Sequence, residues 1–371
     1  MNKPFSKSQI TEPTLLLNQK ICLENIGRMA EKASKNGLIF RPHFKTHQSH
    51  QIGKWFRLAG VKKITVSSLK MAEYFAEAGW KDITVAFPVN ILEIERIQRL
   101  AAAIQLNLLA ESLDTINYLE KNLRSSVNLF LKIDIGYQRT GIHPDKKEKI
   151  QNLLNRIDTC TYLQFAGFIG HAGHSYKARS KQEIADIHTS STDVLKELKK
   201  EYQGKFPGMI ISTGDTPTCS VMDNFSGIDE IRPGNFVFYD LTQHAIGSCR
   251  LNDIAVAMAC PIVAKHADRN ELIVYGGGVH FSKEKLTIPT DNQTLNGVVV
   301  HLNKTGWEFT NGGENYVSKL SQEHGTLKVD QQVFDRYEVG DLIGVLPVHS
   351  CMTANLMKSY RTLEGELIAR L

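Results

Sequence analysis

The chain has 371 residues, 42% of them hydrophobic and 22% charged, with a formal net charge of +5. That length suits two domains or a large barrel with an appendage, and the composition is that of a globular chain able to bury its own core. Lysine and arginine are dispersed among acids, and Lys146-Lys147 and Lys199-Lys200 read as solvated helix faces, which argues against nucleic-acid or membrane binding. The six cysteines, at 22, 160, 219, 249, 260 and 351, form no CxxC pair and read as reduced thiols of a cytoplasmic protein. No apolar signal core follows Met1-Asn2-Lys3-Pro4-Phe5-Ser6, and the apolar stretch 254–264 is too short for a membrane span and contains Pro261.

Thr14-Leu15-Leu16-Leu17 reads as a first strand, followed by a helix over 21–33. Strand-like runs then occur at 38–44, 63–67, 83–87, 106–110, 127–134, 162–171, 209–213 and 230–236. Helical patterns lie between them at 48–59, 69–78, 91–103, 112–121, 146–158 and 181–202. Leu92, Ile94, Ile97, Leu100 and Ala101 recur at near-helical spacing, and Gly60 and Gly79 fall where helices should stop. Eight short apolar strands alternating with helices predict a TIM-type (β/α)8 barrel over residues 14–245. A doubly wound sheet is the alternative, disfavoured because no GxGxxG follows an early strand. Pro233 and Gly234 interrupt the eighth run.

Past residue 245 β-like runs dominate, at 255–264, 271–275, 297–302 and 342–347, separated by turn residues such as Asn311-Gly312-Gly313. This predicts a C-terminal β-domain over 246–371, with residues 1–20 able to pair with it. No internal repeat or low-complexity tract is visible.

Lys45 stands in Arg41-Pro42-His43-Phe44-Lys45-Thr46-His47, where an apolar strand opens into a loop. Burial there would lower its ammonium pKa, as would the charges of Arg41, His43 and His47, freeing the amine to form a Schiff base. A surface lysine among basic neighbours is the alternative reading. In such a barrel catalytic groups gather at the C-terminal ends of the strands. The fifth run ends in Lys132-Ile133-Asp134-Ile135-Gly136-Tyr137-Gln138-Arg139-Thr140-Gly141. Gly136 and Gly141 there permit a tight loop that aims Arg139 inward, a structural salt bridge being the alternative. The sixth ends in Gly170-His171-Ala172-Gly173-His174-Ser175-Tyr176, although a single histidine there is more often structural than catalytic.

The seventh run ends in Ser212-Thr213-Gly214-Asp215-Thr216-Pro217-Thr218 and the eighth in Arg232-Pro233-Gly234-Asn235. Small, hydroxyl-bearing and glycine residues leave N–H groups free to converge on an anion, at the usual phosphate position of a barrel. Two ordinary loops are the alternative, and Asp215 conflicts with a phosphate unless it turns away to cap the turn. A lysine, a phosphate cradle and polar groups able to meet a ring point to pyridoxal phosphate.

A second signal is His349-Ser350-Cys351. On an extended segment residues i and i+2 share a face, so the imidazole and thiol could reach one ion. One nitrogen and one sulfur suit zinc, and two protein ligands leave positions open for catalysis. Chance co-occurrence is the bland alternative. Gly276-Gly277-Gly278 lacks a Walker lysine and reads as a turn or a close backbone approach. Glu323-His324-Gly325 is a candidate support behind the metal pair.

Together these residues resemble the fold-type III pyridoxal-phosphate enzymes, and within them the D-serine dehydratase and D-threonine aldolase family, related to the alanine racemase N-terminal barrel. The matching pieces, in the expected order, are Pro13-Thr14-Leu15-Leu16-Leu17, the Lys45 heptapeptide, the Gly136 to Gly141 loop, the His171 to Tyr176 strand exit, Thr213 to Pro217, Arg232-Pro233-Gly234, Glu323-His324-Gly325 and His349-Ser350-Cys351. The resemblance implies an internal aldimine at Lys45 and phosphate contacts from Thr213, Gly214, Gly234 and Asn235. It also implies a polar ring environment that includes Arg139, His171 and Tyr176, and a catalytic divalent metal at His349 and Cys351. Zinc is expected there, with manganese or magnesium as alternatives.

Such enzymes are expected to be cytoplasmic homodimers whose active site lies between the barrel of one subunit and the β-domain of the other. The HxC pair resembles the zinc-dependent dehydratases, whereas the aldolases carry HxD and use harder ions. Ser212-Thr213-Gly214-Asp215-Thr216-Pro217 departs from the eukaryotic dehydratase pattern, which leaves the substrate open. The expected activity is a lyase that converts a β-hydroxy D-amino acid, D-serine or D-threonine, to a 2-oxo acid and ammonia. The alternatives are a D-threonine-type aldolase, 3-hydroxy-D-aspartate as substrate of either reaction, a racemase and a non-catalytic pyridoxal-phosphate carrier. The β-domain argues against the carrier, and no second base supports the racemase.

Overall fold

Short apolar strands divided by amphipathic helices have one economical arrangement, a parallel sheet with its helices outside. The computed structural model describes residues 10–287, 293–310 and 315–371. After β1 (Thr14–Leu17), the strands are β2 (Ile39–Phe40), β3 (Lys63–Val66), β4 (Asp82–Pro88), β5 (Gln105–Ala110), β6 (Val127–Lys132), β7 (Leu163–Ile169), β8 (Ile210–Thr213) and β9 (Glu230–Ile231). Strands β2 to β9 form one sheet, ordered β2-β9-β8-β7-β6-β5-β4-β3, with parallel pairing throughout. Its ends meet at a parallel bridge between His43 and Thr65, where Phe44 N–H donates to Thr65 O at 2.8 Å and Thr65 N–H to Pro42 O at 2.9 Å. The sheet is thus a nearly closed TIM-type barrel. Its last strand is short because Pro233 has no N–H to offer a ladder.

The alternating helices are His50–Leu58, Leu69–Glu77, Ile94–Ala103, Leu113–Asn122, Lys147–Asp158 and Lys181–Tyr202. Ser68, Ser112 and Ser180 cap three of them, each side chain accepting an N–H of the first turn. Ile97 and Leu100 are buried as their spacing predicts, but Leu92 is exposed, because it sits in a separate 3-10 turn, Ile91–Glu93.

The β-rich remainder forms a sheet that includes Val256–His266, Glu271–Tyr275, Gly297–Asn303, Tyr316–Leu320, His324–Lys328, Leu342–Pro347 and Ser359–Thr362. Strand β1 belongs to it, antiparallel to Val256–His266 and parallel to Ser359–Thr362. Gly277 is a close backbone approach, since a Cβ there would stand 2.2 Å from Gln322 O. Asn311, Gly312 and Gly313 lie outside the described residues. By its internal packing the chain divides into two units. One holds Ile26–Gly234 with Ile246–Ser248, and the other holds the N-terminal segment through Asn25, Asn235–Ala245 and Cys249–Arg370. No helix among the described residues is long and apolar enough to cross a membrane.

Candidate active site

The exit of β2 is fixed by two buried anchors. Arg41, 2% exposed, sets Nη1 2.6 Å from Asp82 Oδ1 and Nε 2.5 Å from Glu230 Oε2. Phe44 packs against Phe56, Phe75 and Trp80, with ring centroids 4.9, 4.9 and 5.1 Å away. With Phe44 facing the core, the next residue is turned outward. Lys45 is therefore exposed, not buried as its position after an apolar run suggests.

The neighbouring exits are laced to this one. Arg232 N–H donates to Thr213 O at 2.9 Å, and His43 N–H donates to Pro233 O at 2.8 Å. Gly214 has φ +109°, and a Cβ on it would stand 2.9 Å from Arg232 N. A Cβ on Gly234 would stand 2.9 Å from both the Cβ and the carbonyl oxygen of His43. Only glycine allows these approaches. Among the described residues neither glycine N–H has a backbone acceptor, so both remain available to an anion. Asp215 turns away, as a phosphate would require. It accepts from Ser175 Oγ at 2.6 Å and from the N–H and Oγ1 of Thr218, both at 2.9 Å. It thereby caps a helix, Thr216–Val221, that reads as loop in the sequence. The missed signal is Asp215 at the N-cap with Pro217 in the first turn. Burial nevertheless pushes the Asp215 carboxyl up to about 6.

Buried positive charge surrounds this cradle. Lys132, at the end of β6, is 8% exposed, and burial, aided by Arg232 and Arg139, lowers its amine to about 7. Sequence reasoning passed over Lys132, whose signal is an amine closing the apolar run Leu129-Phe130-Leu131. Arg232 is also buried and donates to Ser212 Oγ at 2.8 Å and to Gly170 O. Among the described residues neither Lys132 nor Arg232 forms a salt bridge. Burial, and then the charges of Lys45 and Arg232, holds His43 well below its ordinary pKa. Burial, followed by Lys132, Lys45, Arg232 and Arg139, does the same to His171. Both imidazoles are neutral at neutral pH.

The loop after β6 is tight, with positive φ at Gly136 and Gly141. It does not point Arg139 inward: the residue is exposed, its guanidinium 4.9 Å from the centre of the Tyr137 ring. Tyr137 meets His171 edge-on at 6.0 Å and stacks on His174 at 6.3 Å. Tyr176 Oη accepts from Thr216 N–H at 3.4 Å, beside the start of the capped helix.

The metal pair has its own setting in the other unit. His349-Ser350-Cys351 is not extended. His349 is the N-cap of a helix, Ser350–Leu356, and Cys351 lies in its first turn. The residues still lie near each other, because the extended N-cap directly precedes the turn that carries Cys351, and the thiol is among the groups that favour the His349 imidazolium. Its Nδ1 lies 3.5 Å from Asp240 Oδ2. Burial opposes the imidazolium, but these two partners outweigh it and raise His349 to about 11. The side chain of Asn235 sits here too, its Nδ2 2.6 Å from Asp240 Oδ2 and 3.4 Å from Cys351 Sγ. Glu323 instead approaches His280, at 3.8 Å, and His324 is exposed, so the contacts behind His349 come from Asp240.

A parallel barrel whose strand ends gather a lysine, buried cations, neutral imidazoles and a glycine cradle is a (β/α)8 protein with its polar groups at the strand exits. The chain belongs to the family described as alanine racemase, N-terminal domain, matched over residues 19–241, and residues 255–363 match a putative serine dehydratase domain. It is similar to the D-serine dehydratase of Dictyostelium discoideum, 29% identical over 97% of this chain and 95% of that one. It is also similar to the D-threo-3-hydroxyaspartate dehydratase of Delftia sp. (strain HT23), 26% identical over 95% of this chain and 94% of that one. The solved structure of D-threo-3-hydroxyaspartate dehydratase from Delftia sp. HT23 shares the fold, with a TM-score of 0.88 and 24% identity over 99% of each chain.

Pyridoxal phosphate, which membership of this family implies, fits the barrel residues: free N–H groups at two glycines, unpaired buried cations and a reachable lysine. A divalent ion fits the HxC pair, one nitrogen and one sulfur donor brought close at a helix N-terminus. No third histidine, cysteine or carboxylate among the described residues completes a closed cage.

Proposed function

We propose that this protein is a pyridoxal-phosphate- and metal-dependent lyase that dehydrates β-hydroxy D-amino acids, D-serine or D-threonine, to a 2-oxo acid and ammonia. The observation that carries the reading is His349 and Cys351 together at one helix N-terminus, in a chain whose barrel also presents Lys45 beside a glycine cradle. The dehydratase names of relatives aligned over nearly the whole chain support it.

When bound, pyridoxal phosphate supplies an electron sink for the bond broken at Cα, and a divalent metal supplies a Lewis acid for the departing β-hydroxyl. Lys45 anchors the cofactor and, once displaced by the substrate amine, takes the proton from Cα. Its exposure leaves Nζ reachable for both tasks. Gly214 and Gly234 hold the phosphate through their N–H groups, with Thr213 and Asn235 beside them. Lys132, Arg139 and Arg232 give the pocket positive potential that retains anionic groups, while His171 and Tyr176 contribute neutral polar edges. His349 and Cys351 bind the metal, and a thiolate in the pair favours zinc over magnesium or manganese. As parts of the same reading, the protein is a cytoplasmic homodimer acting on small molecules.

The test is to incubate purified protein with D-serine and D-threonine, with and without a chelator, and to follow 2-oxo acid and aldehyde together. Pyruvate and 2-oxobutanoate formation that the chelator suppresses is the expected result. Glycine and acetaldehyde from D-threonine would replace dehydration by retro-aldol cleavage, and turnover of 3-hydroxy-D-aspartate alone would replace the substrate.

A further inference from the structure

Of the buried carboxylates that the mechanism leaves unused, Asp240 stands beside His349. Asp240 is fully buried. Its Oδ1 accepts from Gln243 N–H at 2.9 Å. Its Oδ2 accepts from Asn235 Nδ2 at 2.6 Å and from the N–H and Oγ of Ser350 at 2.9 and 3.2 Å, and lies 3.5 Å from His349 Nδ1. A buried carboxylate is costly unless its oxygens are saturated with donors and a cation stands near. His349 is the only group in this set able to carry positive charge.

We propose that Asp240 and Asn235 are positioning residues for the metal pair, an inference that rests on the reading of His349 and Cys351 as metal ligands. Asp240 draws the Nδ1 proton of His349 toward itself, which fixes the tautomer with the Nε2 lone pair free for a metal. Asn235 Nδ2, bonded to Asp240 Oδ2, also reaches Ser350 Oγ at 3.1 Å and Cys351 Sγ at 3.4 Å, so it braces the turn that carries the thiol. Ser350 N–H, the first amide of the helix, also ends on Asp240, so one carboxylate sets both the ring and the turn that carries the thiol. Asparagine cannot replace it. Both oxygens of Asp240 face donors, so an amide NH2 group meets another N–H in either orientation.

The experiment compares wild type, Asp240→Asn and Cys351→Ala, all full length and cofactor-bound. Zinc affinity is read by competition with a chromophoric chelator, and the cobalt-substituted forms are compared by their thiolate charge-transfer band. Asp240→Asn is expected to weaken zinc about 10- to 100-fold and to alter the cobalt band, with the cofactor absorbance retained. Zinc affinity and a cobalt spectrum equal to wild type would overturn the inference while leaving the metal reading intact. Wild type that binds zinc no better than Cys351→Ala would remove the metal reading and the inference with it. Should Asp240→Asn fail to fold, isotope-labelled histidine NMR of zinc-loaded wild type, assigned against His349→Ala, decides the matter. Ligation through Nε2 with a protonated Nδ1 is expected, and ligation through Nδ1 overturns the assignment.

Discussion

Lys132 ends an apolar strand with an amine, and burial beside Arg232 and Arg139 brings that amine to about 7 from its ordinary 10.5. Between those values the unfolded chain holds more protons than the folded one, so stability rises with pH across the window. Denaturant midpoints of the cofactor-free protein should therefore climb from pH 7 upward. Lys132→Met should flatten that slope and be the more stable protein at the lower end. A wild-type profile as flat as the variant's would show that the amine is solvated. The same residue marks the limit of reading side chains from their sequence neighbours. Lys45 has basic neighbours and is exposed, whereas Lys132 has apolar neighbours and an amine lowered to about 7, first by burial and then by Arg232, which arrives from a distant strand. The lysine of the Arg41-Pro42-His43-Phe44-Lys45 run is legible as a motif, but its burial is a tertiary property.

At the level of elements, the strand ends are held by backbone geometry that side chains cannot replace. At Gly214 an alanine would combine φ +109° with a methyl group 2.9 Å from the Arg232 backbone nitrogen, and backbone cannot move aside as a flexible side chain can. Gly214→Ala is expected to destabilise the fold by about 1–3 kcal/mol and to weaken uptake of the phosphate-bearing cofactor. Gly204→Ala, with nothing within 4 Å of the added carbon, is the control that should do neither. Equal denaturant midpoints and equal cofactor affinity for the two variants would remove Gly214 from the cradle. The eight barrel strands and their long helices are legible because each carries its own apolar period. The short helices Thr216–Val221 and Ser350–Leu356 are not, since neither is long enough to show one. Their ends could have been read from chemistry instead: Asp215 before Thr216-Pro217 is a helix start, and recognising it explains why an acid can stand beside a phosphate cradle. The HxC pair was legible as a pair, but a helix N-terminus, not strand alternation, brings its two side chains together.

Over the whole molecule, the residues assigned to the two bound groups fall largely into separate units. Lys45, Lys132, Gly214, Arg232 and Gly234 belong to the unit built on Ile26–Gly234, and His349, Cys351, Asp240 and Asn235 belong to the other. Each set is held by contacts inside its own unit: Arg41 and Phe44 fix the lysine loop, and Asp240 fixes the metal pair. Removing one ligand should therefore not dismantle the other site, even though the proposed reaction uses both. Lys45→Ala is expected to lose turnover and the visible absorbance of covalently held cofactor while keeping the zinc content of wild type. Cys351→Ala is expected to lose zinc and most turnover while its cofactor spectrum persists. Metal analysis and absorbance on the same preparations read both quantities at once. Zinc retained in full by Cys351→Ala would take the thiol out of the site. Loss of both ligands in either variant would mean that the two sets of residues depend on each other to fold, and full activity in Lys45→Ala would reject the lysine as the group that holds the cofactor and moves the Cα proton.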